Sequence, residues 1–154
     1  MQARPIADSG PSPLFTLLRT DNGQRVSYPV FNEPGTVPGR HVTVVSRNDP
    51  QPAGPVQISR LERHPHGNQS FIPLTASRWL IAVAPDAPDG TPDITRIEAY
   101  VAGPGDAICL HRNAWHVTMT VFDSPAEMVM TMWRADSGHD TDYNDLPAAV
   151  EVVL

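Results

Sequence analysis

Proline and glycine limit this chain more than any other feature. Seventeen prolines and ten glycines are spread along 154 residues instead of being gathered into one linker. Proline removes a backbone donor and clashes with the preceding helical turn, so long helices are excluded over most of the length. Short extended segments fit between the breakers, at residues 14–18, 26–31, 41–46, 56–63, 70–74, 79–84, 96–102, 107–111, 117–122, 128–133 and 149–153. Residues 96–101 and 127–133 alternate apolar and polar side chains with the two-residue period of a strand. Turn chemistry falls between them, as at Asn22-Gly23, Pro34-Gly35, Pro38-Gly39, Asp89-Gly90 and Gly103-Pro104-Gly105-Asp106. Hydrophobic residues make up 40%, enough for a real core. The expectation is one all-β domain over residues 1–154, a sandwich, jelly roll or barrel. Residues 1–13 are polar and Pro-rich and read as an arm, either flexible or in contact with a dimer partner. The acidic tail 136–145 reads as a surface loop or a lid.

Charge narrows the partners. The net charge is −6 and no basic run occurs, which argues against nucleic acid or an anionic membrane as partner. Every positive side chain is arginine, since the sequence contains no lysine. A lysine Schiff base, a lysine general base and a P-loop are therefore excluded. The single cysteine, Cys109, cannot form an intramolecular disulfide and reads as a packing residue. No stretch is long and apolar enough to span a bilayer as a helix, and the cytoplasm is the expected setting.

Four of the six histidines fall in two short windows. The first reads Leu61-Glu62-Arg63-His64-Pro65-His66-Gly67-Asn68-Gln69. On a continuous strand, His64 and His66 share one face and can bind one metal ion through their ring nitrogens. Glu62 has the same parity, and Arg63 points the other way. The second window runs from Gly103 through His111-Arg112-Asn113-Ala114-Trp115 to His116. A tight turn starts a strand there, and His116 begins the return strand, where it can face the interior. Met128, Met130 and Met132 share one strand face and read as core.

These two windows resemble the paired motifs of the cupins, a histidine pair followed by a polar ligand and then a later G-D-x4-P-x4-H. His116 takes the second-motif histidine position, His111 stands where proline is usual, and Gln69 stands where glutamate is usual. The match narrows to the ureidoglycolate lyase family over residues 42 to 147, although that family usually reads W-H-H-P where this chain has Trp115-His116-Val117-Thr118. The resemblance implies a cupin-type double-stranded β-helix (jelly-roll) barrel and a homodimer. It also implies cleavage of ureidoglycolate, a small carboxylate, into glyoxylate and urea.

The ligands it implies are His64, His66 and His116 for a divalent transition metal (zinc, nickel, manganese or iron). Gln69 is either a fourth ligand or a hydrogen-bonder to bound water or substrate. Glu62 or His111 would move protons. Arg63 or Arg112 would clamp the carboxylate. The plainer alternatives are a surface ion pair for Glu62 and Arg63, structural hydrogen bonds for His111 and Arg112, and packing for Trp115. Two other functions fit the same motifs: a different cupin metalloenzyme acting on another oxygen-rich acid, and a metal-free cupin that only binds a small ligand.

Overall fold

The computed structural model describes residues 1–29 and 33–154. Among these residues there are twelve strands in two sheets. They are β1 (Arg4–Pro5), β2 (Phe15–Leu18), β3 (Gly39–Asn48), β4 (Val56–Arg63), β5 (Gln69–Pro73), β6 (Arg78–Ala84), β7 (Glu98–Ala102), β8 (Ala107–Leu110), β9 (Trp115–His116), β10 (Thr120–Phe122), β11 (Ala126–Ala135) and β12 (Asp142–Val152). A seven-stranded sheet runs β1-β7-β6-β9-β4-β12, with β10 also paired to β6. A five-stranded sheet runs β2-β8-β5-β11-β3. This is the all-β, two-sheet jelly-roll architecture expected from the breakers and turns. No helix of the described residues is long and apolar enough to cross a membrane.

The main core lies between the sheets. Trp79, Ile81, Val83 and Tyr100 from one sheet meet Phe71, Ile108, Leu110 and Met128 from the other. Met132 is also buried and Met130 packs partly buried against the cluster, so the methionine face is core, as its spacing indicated. A second cluster covers the other face of the seven-stranded sheet. There Leu61, Leu80, Ala82 and Trp115 are closed over by Ala3, Ile97 and Val152. Together the two clusters make β6 apolar on both faces, which accounts for its unbroken Trp-Leu-Ile-Ala-Val-Ala run.

Several segments differ from the sequence reading. The tail after Asp136 is a loop only to Thr141, because β12 starts at Asp142 and pairs antiparallel with β4. Its acids are the cross-strand partners of arginines on β4, Asp145 with Arg60 and Asp142 with Arg63. Pro147 falls where the β12–β4 register breaks between Asp145 and Val150, on the sheet edge where a missing donor is tolerated. The N-terminal residues lie on their own chain: β1 pairs parallel with β7, and Ile6 is 1% exposed. The strand expected from 96 begins at Glu98, because Asp93 caps a single 3-10 turn, Ile94–Arg96, by accepting from the Thr95 amide. The segment 117–122 is strand only from Thr120. The segment 26–31 lies partly outside the described residues, and its residues 26–29 are not strand.

One irregularity positions the site. β9 and β10 run along the same edge of β6, with Val83 opposite His116 and Leu80 opposite Thr120. Three steps on β6 thus span four on the other segment, which is a bulge at 117–119. The bulge holds β9 apart from β10, and β9 pairs on its other side with β4, Glu62 opposite His116.

Candidate metal centre

Glu62, His64 and His116 converge on the inner face of the seven-stranded sheet. His116 lies opposite both Val83 and Glu62, and Val83 belongs to the inter-sheet core, so the three share its side. One ligand atom from each lies within 4.8 Å of the others. The His116 Nε2 is 3.6 Å from the Glu62 Oε1, and the His64 and His116 ring centroids are 5.3 Å apart.

Backbone carbonyls fix both rings. His64 Nδ1 is 3.0 Å from the Asp140 carbonyl oxygen, and His116 Nδ1 is 2.9 Å from that of Ala114. A carbonyl only accepts, so each Nδ1 carries a proton and Nε2 is the ring nitrogen turned to the cluster. Both Nε2 atoms are buried and have no hydrogen-bond partner. An orphaned buried polar atom is costly, and two beside one carboxylate are hard to explain as packing. The chemistry of the set, two imidazoles and a carboxylate, fits a divalent transition metal with coordination positions to spare.

The electrostatics agree with that use. Burial, reinforced by neighbouring His64, lowers the His116 pKa to about 3, so its imidazole is neutral and ready to ligate at any ordinary pH. Burial raises the Glu62 pKa, against the opposing pull of His64 and a Thr118 hydrogen bond.

The other expected site residues lie elsewhere. His66 does not join the cluster, because β4 ends at Arg63 and the chain bends through residues 64–68, which removes the two-residue alternation. The bend packs so tightly that a Cβ on Gly67 would fall 2.5 Å from the Trp133 Cβ. His66 instead faces Thr36, with Nδ1 3.3 Å from its hydroxyl. Gln69 is buried on the facing sheet, opposite Met132, and shares the inward parity of Phe71. Its amide nitrogen donates to the Met130 sulfur at 3.1 Å, while its Oε1 is buried without a partner.

Arg63 faces away from the cluster. Its guanidinium bonds Asp142 and Asp86 at 3.0 Å each and lies 4.5 Å from the Trp115 ring centre. His111 has both ring nitrogens engaged, with the Pro13 carbonyl at 2.9 Å and the Thr16 hydroxyl at 2.8 Å. It therefore ties β2 to the end of β8, and it lies outside the Glu62–His64–His116 cluster. Arg112 is exposed and lines a cleft of about 400 Å³ with His66, Asn68 and Glu33. The Ala114 and Asp140 carbonyls were not legible in the sequence, because a backbone acceptor leaves no residue signature.

A family profile described as ureidoglycolate lyase matches residues 20–153. The chain belongs to the ureidoglycolate lyase family. Among curated relatives, the ureidoglycolate lyase of Schizosaccharomyces pombe is 43% identical over 121 residues, 74% of this chain and 61% of that protein. That of Salmonella paratyphi B is 36% identical over 106 residues, 68% of this chain and 64% of that protein. The ureidoglycolate lyase of Chelativorans sp. strain BNC1 is 27% identical over 99% of this chain and 95% of that protein. The chain thus spans under two thirds of the first two relatives and nearly all of the third. Where the ureidoglycolate lyase family usually has the second histidine of its W-H-H-P motif, Val117 packs against the second core cluster.

Proposed function

We propose that this protein cleaves ureidoglycolate, or a closely similar small carbinolamide acid, to glyoxylate and urea. The observation that carries the reading is the convergence of Glu62, His64 and His116 with both imidazole Nε2 atoms free, in a chain of this family. The substrate carbon bears a hydroxyl, a carboxylate and a urea nitrogen. In the reaction the hydroxyl loses its proton and the C–O bond becomes a carbonyl. The C–N bond breaks with its electron pair on nitrogen, and that nitrogen takes up a proton. The proton count is unchanged, so one group that takes and returns a proton is sufficient.

His64 and His116 would hold a divalent transition metal through their Nε2 atoms, with the Glu62 carboxylate beside them. Such a metal supplies Lewis-acid stabilisation for the oxygen charge that develops as the hydroxyl ionises. Glu62 is the proton carrier in this reading. Its Oε1 lies 3.6 Å from the His116 Nε2, so the carboxylate stands next to the centre it serves. Arg112, exposed at the rim cleft, is the candidate to draw in the substrate carboxylate, since Arg63 is committed to Asp142 and Asp86. Gln69 offers a buried amide oxygen from the facing sheet for a hydrogen bond to water or substrate. His66 lies beside Arg112 in that cleft, outside the metal cluster. The same reading takes the chain as one domain, acting as a cytoplasmic homodimer.

The assay is direct. Purified protein supplied with a divalent metal and ureidoglycolate should release glyoxylate faster than spontaneous breakdown, and His116→Ala should return the rate to background. No release above background with any of zinc, nickel, manganese or iron would sink the assignment.

A further inference from the structure

We propose that Asp140 is a positioning residue for His64. Its buried carboxylate closes the turn between β11 and β12, and that closure aims the Asp140 carbonyl at the His64 ring. The turn joins the five-stranded sheet to the seven-stranded one, beside the metal centre. Two of the four acids of this stretch are in water: the side chains of Asp136 and Asp145 are 64% and 73% exposed. The Asp140 side chain is 3% exposed. A carboxylate is costly to bury unless its oxygens are bonded. Here Oδ1 accepts the Ala135 amide at 2.6 Å, while Oδ2 makes no hydrogen bond and is held only as an ion pair, 3.0 Å from the Arg134 guanidinium. Gly138, at φ +76°, supplies the left-handed corner, and its amide donates to the Ala135 carbonyl at 3.1 Å.

The carboxylate therefore anchors residue 140 to the last residues of β11. The carbonyl of the same residue accepts the His64 Nδ1 proton at 3.0 Å, with the Thr141 hydroxyl 3.3 Å from that nitrogen. Release of the anchor frees the carbonyl to move. A neutral imidazole without that acceptor can place its proton on Nε2, the nitrogen that must stay bare to ligate. Partners of this kind are commonly worth about 10- to 100-fold in metal affinity. The proposal rests on His64 as a ligand, and a measurement made without metal keeps the two claims separable.

The His64 tautomer is read by long-range proton–nitrogen NMR on labelled, chelator-treated protein at neutral pH. Zinc affinity is measured on the same samples. Wild type should show a single form protonated on Nδ1. Asp140→Asn keeps an oxygen for the Ala135 amide and should stay near wild type in both readings. Asp140→Ala should show mixed tautomers and zinc binding weakened by about 10- to 100-fold. If Asp140→Ala does not fold, Asp140→Ser takes its place with the same expectation.

Wild-type His64 protonated on Nε2 would overturn the proposal. So would a folded Ala or Ser variant that keeps the wild-type tautomer and zinc affinity. Wild type with the expected tautomer but no zinc affinity would count against the metal reading alone, and the tautomer shift in the variant would still support positioning.

Discussion

Glu62 is under two opposed influences, and they decide what its replacement should do. Burial disfavours its charge, while the adjacent His64 and the Thr118 hydrogen bond favour it, and burial is the larger effect. Glutamine has the same shape and no titrating proton. In Glu62→Gln at saturating metal, turnover should fall by about 10²- to 10⁴-fold, the usual worth of a positioned acid–base group. The melting temperature should hold or rise, because the amide removes the cost of burying a carboxylate. A stopped-time glyoxylate assay with a thermal melt on the same preparation tests both halves. A variant with full turnover would remove Glu62 from the chemistry. His116 has no such acid–base role, since its pKa of about 3 keeps it neutral throughout the working range.

At the scale of elements, parity along β4 separates site from scaffold. Glu62 shares the inner face with His64 and His116, and Arg63, one residue on, lies on the outer face against Trp115. Arg63 joins three elements there: Asp142 of β12, the loop through Asp86 and Gly90, and Trp115 of β9, whose indole also donates to Asp86 at 2.8 Å. Arg63→Ala should therefore lower stability by about 1–3 kcal/mol, the range for lost hydrogen bonds to a charged group, with the Michaelis constant for the carboxylate substrate near wild type. Urea denaturation and steady-state kinetics read the two quantities. A raised Michaelis constant with an unchanged unfolding midpoint would instead make Arg63 a substrate contact.

The same strand shows what the sequence could and could not reveal. The shared face of Glu62 and His64 was readable from the two-residue period, and His116 as the start of a return strand was readable from the bend before it. His66 did not follow the period, because the chain bends through residues 64–68 just after β4 ends. The role of His111 depended on the Pro13 carbonyl and the Thr16 hydroxyl, nearly a hundred residues away in sequence. The end of β12 reads as a strand at 149–153, but its first part was hidden because its acids look like loop residues until their arginine partners on β4 are placed opposite them.

For the whole molecule, the metal centre couples binding to folding. Its imidazoles come from the bend after β4 and from β9, segments more than fifty residues apart in sequence that meet only when the seven-stranded sheet is assembled. An unfolded chain offers no such cluster, so metal should bind the native state far more tightly and stabilise it by mass action. At a hundredfold excess over the dissociation constant the gain is about 2.7 kcal/mol. For a chain of this length that raises the melting temperature by roughly 5–10 °C. The rise should be abolished in His64→Ala and His116→Ala, each of which removes a bare Nε2. It should survive in His66→Ala, because His66 lies outside the cluster and faces Thr36. Thermal melts of chelator-treated protein with and without zinc or nickel make the comparison. If His66→Ala lost the shift while His64→Ala kept it, the ligand set would move into the rim cleft that His66 and Arg112 line, and the inner-face cluster would no longer be the metal centre.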